Sequence, residues 1–213
     1  WGIPDLEVVP LSQLIAAKTS GGVLIGAFDG PNLIGFAYGF VGHENGETVH
    51  HSHMLAVKPE YRSRDLGFRL KLAQRERVLK QGIKIMTWTF DPLQSLKALF
   101  KYRKLGVVAD RYFIDFYGFG AASFLHRNGT DRFWVTWHVA TERVNAKLSG
   151  SSAIPDISQT PVLVAVGESE EPVLIDQAIA AKPDRILIEI PADIKAIEQE
   201  NFDLARRWRL ATR

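Results

Sequence analysis

Two short stretches of the chain gather side chains able to do chemistry. The first is His50-His51-Ser52-His53. A β-strand sends successive side chains to opposite faces, so His51 and His53 would share one face and His50 the other. Imidazole titrates near neutral pH, which suits His51 or His53 to a general base. A zinc site built from all three is disfavoured, because adjacent strand residues diverge and no acidic partner is near in sequence. The second stretch runs Val57-Lys58-Pro59-Glu60-Tyr61-Arg62-Ser63-Arg64-Asp65-Leu66-Gly67-Phe68-Arg69-Leu70. Where a turn opens a helix, the first N–H groups have no helical partner and the positive end of the helix dipole lies beside them. Arg62, Arg64 and Arg69 add charge, and Gly67 lets a bulky anion approach the backbone. The backbone of Arg64, Asp65, Leu66, Gly67 and Phe68 is therefore expected to hold a phosphate or pyrophosphate.

These groups need elements to hold them. Leu11 to Ala17 reads as a helix end, stopped by Ser20-Gly21-Gly22. Strands are predicted at Val23–Phe28 and Leu33–Phe40 around the hairpin signal Asp29-Gly30-Pro31-Asn32, and at Thr48–Val57, ended by Lys58-Pro59. From Leu66 the apolar period changes to three or four, which predicts a helix stopped at Gly82. A strand at Ile83–Phe90 and a helix from Gln94 to Leu105, stopped by Gly106, follow. Val107–Phe116 and Phe133–Ala140 read as two more strands around a glycine-rich loop. The order βββαβαββ implies a mixed sheet with at least one crossover. Beyond Ser149-Gly150-Ser151-Ser152 the pattern predicts a strand at Val162–Val166, a helix near Leu174–Ala181, a strand at Arg185–Ile190 and one long helix from Asp193. The division expected is a main domain over 1–150, its N-terminal part incomplete, and a small α/β extension over 151–213.

Composition narrows the chemistry. There is no cysteine among the 213 residues, which excludes disulfides, thiolate metal sites and cysteine nucleophiles. No apolar run approaches the roughly 20 residues that span a bilayer, and residues Trp1 to Asp5 lack the pattern of a secretion signal, so a cytoplasmic protein without a membrane partner is expected. Without that signal, Asn128-Gly129-Thr130 is not read as a glycosylation site. The formal net charge of +2 hides an asymmetry. Arg62 to Lys104 holds twelve Lys/Arg against three acids, while seven basic residues face eleven acidic ones from Ser151 onward. The basic stretch calls for an anion. Its charges are interleaved with helical apolar positions and not with an array of stacking aromatics, which favours a phosphorylated small molecule over nucleic acid.

The loop resembles the pyrophosphate loop of the GNAT superfamily of acyl-CoA N-acyltransferases, whose pattern is Arg or Gln, two residues, Gly, one residue, Gly or Ala. Arg62 and Gly67 match it, and Asp65 stands where the first glycine is usual. Ala98, Tyr102 and Gly106 match the spacing of the family's later helical segment, with Ser95 at the place of an asparagine that often contacts the coenzyme. The likeness covers roughly Val23 to Ala140. Ser52-His53-Met54-Leu55, Gln74-Arg75-Glu76-Arg77, Thr87-Trp88-Thr89-Phe90-Asp91-Pro92-Leu93 and Glu189-Ile190-Pro191-Ala192-Asp193 are similar to a bacterial subgroup, some of whose members are linked to N-succinylation of amino acids.

The resemblance implies an α/β fold with a GNAT-like mixed, mostly antiparallel sheet flanked by helices. It implies acetyl-CoA or succinyl-CoA as cosubstrate, no metal, and a small amine such as an amino acid as acceptor. It puts His51 where several members carry a catalytic glutamate, makes Tyr102 the general acid toward the departing thiolate, and sets the backbone of Leu55 and Val57 along the pantetheine arm. Trp88 and Asp91 would line the acceptor pocket. A non-catalytic acyl-CoA-binding sensor or assembly module and a protein-lysine acyltransferase are the alternatives. The apolar positions Ile194, Ile197, Phe202, Leu204, Ala205, Trp208 and Leu210 give the tail a stripe that must be covered, by the main domain or by a second copy in a homodimer.

Overall fold

The computed structural model describes residues 8–62, 64–118, 127–153, 155–176 and 183–213. It is a mixed α/β structure with a mostly antiparallel sheet flanked by helices. Helix α1 (Leu11–Thr19) leads into strands β1 (Val23–Asp29), β2 (Asn32–Glu44) and β3 (Glu47–Val57). A 3₁₀ turn at Pro59–Tyr61 precedes α2 (Leu66–Lys80), and β4 (Ile85–Phe90), α3 (Ser95–Leu99), β5 (Val108–Phe113), β6 (Arg132–His138) and α4 (Glu142–Leu148) follow. The six strands lie in the order β1-β2-β3-β4-β6-β5, and only β3 and β4 run parallel, joined through α2. Their core is built from Val78, Met86, Trp88, Phe90, Leu105, Val135, Trp137 and Val144, with the Trp137 indole donating to the Leu105 carbonyl at 2.8 Å.

β2 and β3 slip register between Tyr38 and Phe40, so that Gly39 alone faces Ser52 and His53. Such a bulge re-aims the side chains of its strand. Gly39 is required here: a Cβ would stand 2.4 Å from His50 Nε2 and 2.6 Å from the His51 carbonyl oxygen. The slip lies beside the histidines singled out in the sequence.

Several sequence expectations are corrected. The helix predicted from Gln94 to Leu105 is α-helical only over Ser95–Leu99 and continues as a π-helical turn over Phe100–Leu105, closed by Gly106 at φ +69°. The strands expected to reach Phe116 and Ala140 stop at Phe113 and His138, and the unforeseen α4 starts where Val144 N–H donates to the Thr141 hydroxyl. In the tail, β7 (Val162–Val166), β8 (Pro172–Leu174) and β9 (Leu187–Ile188) form a second sheet in the order β8-β7-β9. β8 takes the start of the helix expected near Leu174, whose remainder from 177 to 181 lies outside the described residues. The single long helix is two, α5 (Ile194–Glu200) and α6 (Phe202–Ala211), divided at Asn201, whose extended backbone and side-chain bond to Leu204 N–H start the second.

The tail packs against the main sheet's own loops. Leu93 shares one apolar cluster with Val164, Ile194, Ile197, Ala205 and Trp208, while Phe202 and Leu210 of the expected stripe are exposed. The polar docking has the opposite sense to the bulk charges, because basic residues of the tail meet acids of the main sheet. Arg209 binds Asp91 through both guanidinium ends at 2.8 and 3.0 Å, and Arg213 reaches Asp131 and Asp115. Among the described residues no helix is long and apolar enough to cross a membrane.

Candidate active site

β3 and β4 pair only at His50↔Met86 and His51↔Thr87, although β3 runs on to Val57 and β4 to Phe90. Beyond that seam each strand is paired on its outer side alone, Leu55 and Val57 with β2 and Trp88 to Phe90 with β6. The inner backbone groups therefore face a gap, and buried amide groups need partners. A ligand with amides of its own can enter there as a short additional strand.

α2 opens at the mouth of this gap. Asp65 sits before its first turn in the left-handed region, at φ +53°, where a glycine would be most at ease and where aspartate is among the more tolerant side chains. Its carboxylate makes no capping bond; it pairs with Lys104 at 2.7 Å. The first helical bond runs from Arg69 N–H to the Asp65 carbonyl at 3.0 Å, so the N–H groups of Leu66, Gly67 and Phe68 precede the ladder. Gly67 has no internal reason to be glycine: its φ is not positive, and an added Cβ would find Leu55 Cδ2 at 3.7 Å, an ordinary contact. Arg62 is held by its bond to the Val57 carbonyl, and Arg64 lies 5.4 Å from the centre of the Tyr61 ring. The loop thus offers open N–H groups, room above a glycine, and arginines at the rim.

On one face of the sheet, at the apex of the gap, His51 Nδ1 shares a hydrogen bond with the Thr87 hydroxyl at 3.1 Å across the seam. Trp134 stacks near its ring at 5.0 Å, and Phe40 contacts both His51 and His53. His51 and His53 do share a face, with ring centres 6.4 Å apart. Burial, then the charges of His53 and Lys71, push the His51 pKa down to about 4. His51 is accordingly a neutral imidazole at physiological pH.

The opposite face, under α2, carries a buried polar chain. Lys71 Nζ donates to the Ser52 hydroxyl at 2.6 Å, that hydroxyl donates to Gln74 Oε1 at 2.9 Å, and Gln74 Nε2 meets His50 Nε2 at 3.1 Å. Burial pushes Lys71 down to about 7 and His50 down to about 4. Among the described residues no cluster of His, Asp and Glu is arranged to hold a metal ion.

The sequence profile described as the Acetyltransferase (GNAT) family matches residues 3–107, the segment that contains the loop, the seam and the π-helical turn. That segment, just under half of the chain, is similar to the GNAT acetyltransferase family. Solved structures similar to it include a GNAT family acetyltransferase from Elizabethkingia anophelis with acetyl-CoA bound, 17% identical over 61% of this chain and 83% of that one, with a TM-score of 0.48. The ribosomal-protein-S18-alanine N-acetyltransferase from Escherichia coli is 16% identical over 63% and 81% of the two chains, TM-score 0.47. Aminoglycoside 6'-acetyltransferase type Ii is 18% identical over 62% and 77%, TM-score 0.47. No curated protein matches the chain.

Within this segment the residues read from sequence fall into two groups. Leu55, Val57, Arg62, Arg64, Asp65, Leu66, Gly67 and Phe68 surround one mouth, and His51 and His53 stand at its inner end. Tyr102 lies on the π-helical turn, 5.9 Å from Phe90 ring to ring, and burial pushes its pKa up to about 12. Trp88, Asp91 and Ser95 each have partners within the protein. Trp88 is buried in the core, edge-on to Trp137; Asp91 is clamped by Arg209 and accepts from Leu93 N–H; the Ser95 hydroxyl donates to the Ala192 carbonyl of the tail. Thr87, Trp134, Lys71 and Lys101 were not singled out from the sequence. For Lys71 a signal existed: with Leu70, Gln74 and Val78 it occupies the buried stripe of α2 at helical spacing.

Proposed function

We propose that the chain is an acyl-CoA-dependent N-acyltransferase that moves an acetyl or succinyl group to the amine of a small molecule such as an amino acid. The parting of β3 from β4 beside the open N-terminus of α2 carries this reading. In it, the pyrophosphate of coenzyme A sits on the backbone of Arg64 to Phe68, with Arg62 and Arg64 at its flanks. The pantetheine arm runs along Leu55 and Val57, its amides satisfying strand groups that lack a ladder partner. The thioester then lies near the apex, with His51 on the face from which an amine attacks. Assignment to the bacterial subgroup linked to N-succinylation, and the division into 1–150 and 151–213, belong to the same proposal.

The chemistry follows from the groups at the apex. The neutral amine's lone pair attacks the thioester carbonyl carbon, a C–N bond forms, and the carbonyl oxygen takes negative charge, which a β3 N–H can stabilise. A free alkyl ammonium has a pKa near 10, far beyond the reach of an imidazole held at about 4. His51 therefore takes its proton after attack, when the nitrogen in the tetrahedral adduct has become acidic. The C–S bond then breaks and the thiolate leaves, taking a proton from Tyr102 or from water. Thiolate leaves readily, so Tyr102 assists the step without being indispensable to it.

Turnover of acetyl-CoA and succinyl-CoA against a panel of free amines, followed by mass spectrometry, tests the activity. Calorimetry of coenzyme A tests the site. Unchanged affinity in Arg62→Ala combined with Gly67→Val would remove the loop from the proposal, and binding without any turnover would leave a sensor in place of an enzyme.

A further inference from the structure

Two lysines lie buried against the strand that forms one side of the gap. Lys71 on α2 is 5% exposed, and its ammonium nitrogen stands 3.9 Å from the centre of the Trp88 ring. Lys101 on the π-helical turn is 9% exposed, with its nitrogen 3.7 Å from the centre of the Phe90 ring. Trp88 and Phe90 are alternate residues of β4, so their rings share a face and their Cα atoms are about 7 Å apart. The charge of Lys71 is felt at Lys101, so the two nitrogens, each held over one of these rings, lie in one electrostatic neighbourhood. A carboxylate has two oxygens and can accept a charge-assisted bond from a separate ammonium at each of them.

The partners of the two differ. Lys71 donates to Ser52 and Gln74, both neutral. Lys101 has no hydrogen-bond acceptor and no carboxylate partner among the described residues. Lys97 and Arg132 add to the positive field around it, and the nearest acid in that field, Asp91, is already held by both ends of Arg209. A buried cation is costly unless it is paired, and two cations beside each other compound the cost. Aromatic faces offset only part of it. Burial first, then Lys97, Lys71 and Arg132, push the Lys101 pKa well down, so the empty site favours the neutral amine. A bound anion reverses that balance.

We infer that Lys71 and Lys101 form a subsite for a carboxylate of the substrate, on the helix side of the gap between β3 and β4. The inference rests on the proposed acyl-CoA reading of that gap. His51 and His53 occupy the other face, from which the amine would come, so the geometry assigns the carboxylate to the acyl donor: an acyl chain that ends in a second carboxylate would lie over Trp88 and Phe90 with its charge between the two ammonium groups. The same chemistry would serve a carboxylate on the acceptor, and the experiment separates the two sources.

The experiment compares the wild-type protein with Lys101→Met, which keeps an unbranched stem and removes the charge. Calorimetry is run with coenzyme A, acetyl-CoA and succinyl-CoA, and steady-state kinetics with an amino acid and its carboxamide as acceptors. The expected result is a wild-type preference for succinyl-CoA over acetyl-CoA of about tenfold or more that collapses in Lys101→Met, while coenzyme A affinity is unchanged. A wild-type preference confined to the acceptor, with KM for the amino acid rising about tenfold in the variant and KM for the carboxamide unmoved, supports the subsite and transfers it to the acceptor. Binding of succinyl-CoA should also take up protons, read as a dependence of the heat on the buffer's ionisation enthalpy. The empty variant should melt higher than wild type, because it no longer buries an amine that is charged and hydrated in the unfolded chain. Unchanged donor and acceptor preferences in a variant that still binds coenzyme A would overturn the inference. If the wild type binds no coenzyme A derivative, the acyl-CoA reading fails by itself; the subsite is then judged by succinate alone, which must raise the Tm of wild type more than that of Lys101→Met, and equal shifts overturn it.

Discussion

Replacement of Arg209 by methionine should loosen the whole tail. The guanidinium of Arg209 is 3% exposed, and it binds Asp91 Oδ1 at 2.8 Å and Oδ2 at 3.0 Å while its Nε donates to the Asn128 carbonyl at 2.8 Å. Arg209→Met keeps much of the stem but leaves the Asp91 carboxylate, 11% exposed, without its counter-ion and the Asn128 carbonyl without its donor. Removing one partner of a buried pair costs about 3–5 kcal/mol, because the other charge stays buried. For a chain of this size each kcal/mol moves Tm by about 2–4 °C, so a fall of roughly 6–20 °C is expected by calorimetry or circular dichroism. Asp91→Asn in the same chain should recover part of the loss, since the carboxylate that was stranded is gone; the two single changes are strongly non-additive. A separate early transition would show that the tail melts before the sheet. If Arg209→Met melted within about 2 °C of wild type, the ion pair would not be the anchor of α6, and the shared cluster of Leu93, Ile194, Ile197, Ala205 and Trp208 would have to hold the tail unaided.

Other outcomes follow from the loop and the histidines. Gly67→Ala should raise stability by up to about 1 kcal/mol, because helix propensity improves and the new Cβ meets only Leu55 at 3.7 Å; the same change should weaken coenzyme A binding, and equal or tighter binding in calorimetry would contradict a phosphate above this glycine. His50 and His51 are held at about 4 against an ordinary value near 6.5, so the unfolded chain binds more protons between those limits. Stability should therefore fall as pH drops from 6.5 toward 4 and change little from these groups above 6.5; urea titrations of His51→Asn with the slope of wild type would place that linkage elsewhere. The acid limb of the activity profile should lie below pH 6 and vanish in His51→Asn combined with His53→Asn, while an unmoved limb would assign the base to another group. Tyr102→Phe should lower kcat by no more than about tenfold with KM unchanged, and a loss beyond a hundredfold would make the phenol essential to thiolate departure.

Much of this architecture is legible in sequence where local chemistry decides it. The turn Asp29-Gly30-Pro31-Asn32, the strand that ends at Val57, the helix that begins after Asp65 and the stops at Gly82 and Gly106 each carry their own signal, and the structure follows them within a few residues. Errors gather where distant partners decide. A continuous apolar pattern hides the break at Asn201, because an asparagine that caps one helix reads equally well as an ordinary position in a longer one. The π-helical turn over Phe100–Leu105 has the composition of an α-helix. At the candidate site the turn that opens α2 could be read because its backbone geometry is set by neighbours in sequence. The pairing of His51 with Thr87, the stacking of Trp134 on His51 and the clamp of Arg209 on Asp91 could not, since each joins residues tens of positions apart.

The buried polar residues around the seam form a single physical pattern. On α2 the stripe of Leu70, Lys71, Gln74 and Val78 faces the sheet, and two of its four members are polar where apolar side chains would pack at lower cost. Both polar members are committed to β3, Lys71 and Gln74 through Ser52, and Gln74 also through His50. Ser52 is the first residue of β3 past the last pair with β4, the point at which the ladder between the two strands is lost. A strand that loses its neighbour exposes amide groups to whatever enters the gap, and the side chains beneath must keep its backbone straight without sealing the opening. A wholly apolar α2 stripe would favour collapse of β3 onto β4 around the core of Trp88 and Phe90. The chain Lys71, Ser52, Gln74 and His50 instead fastens β3 to the helix from below by hydrogen bonds, which are directional, and so holds the gap open at the place where the proposed reaction needs it.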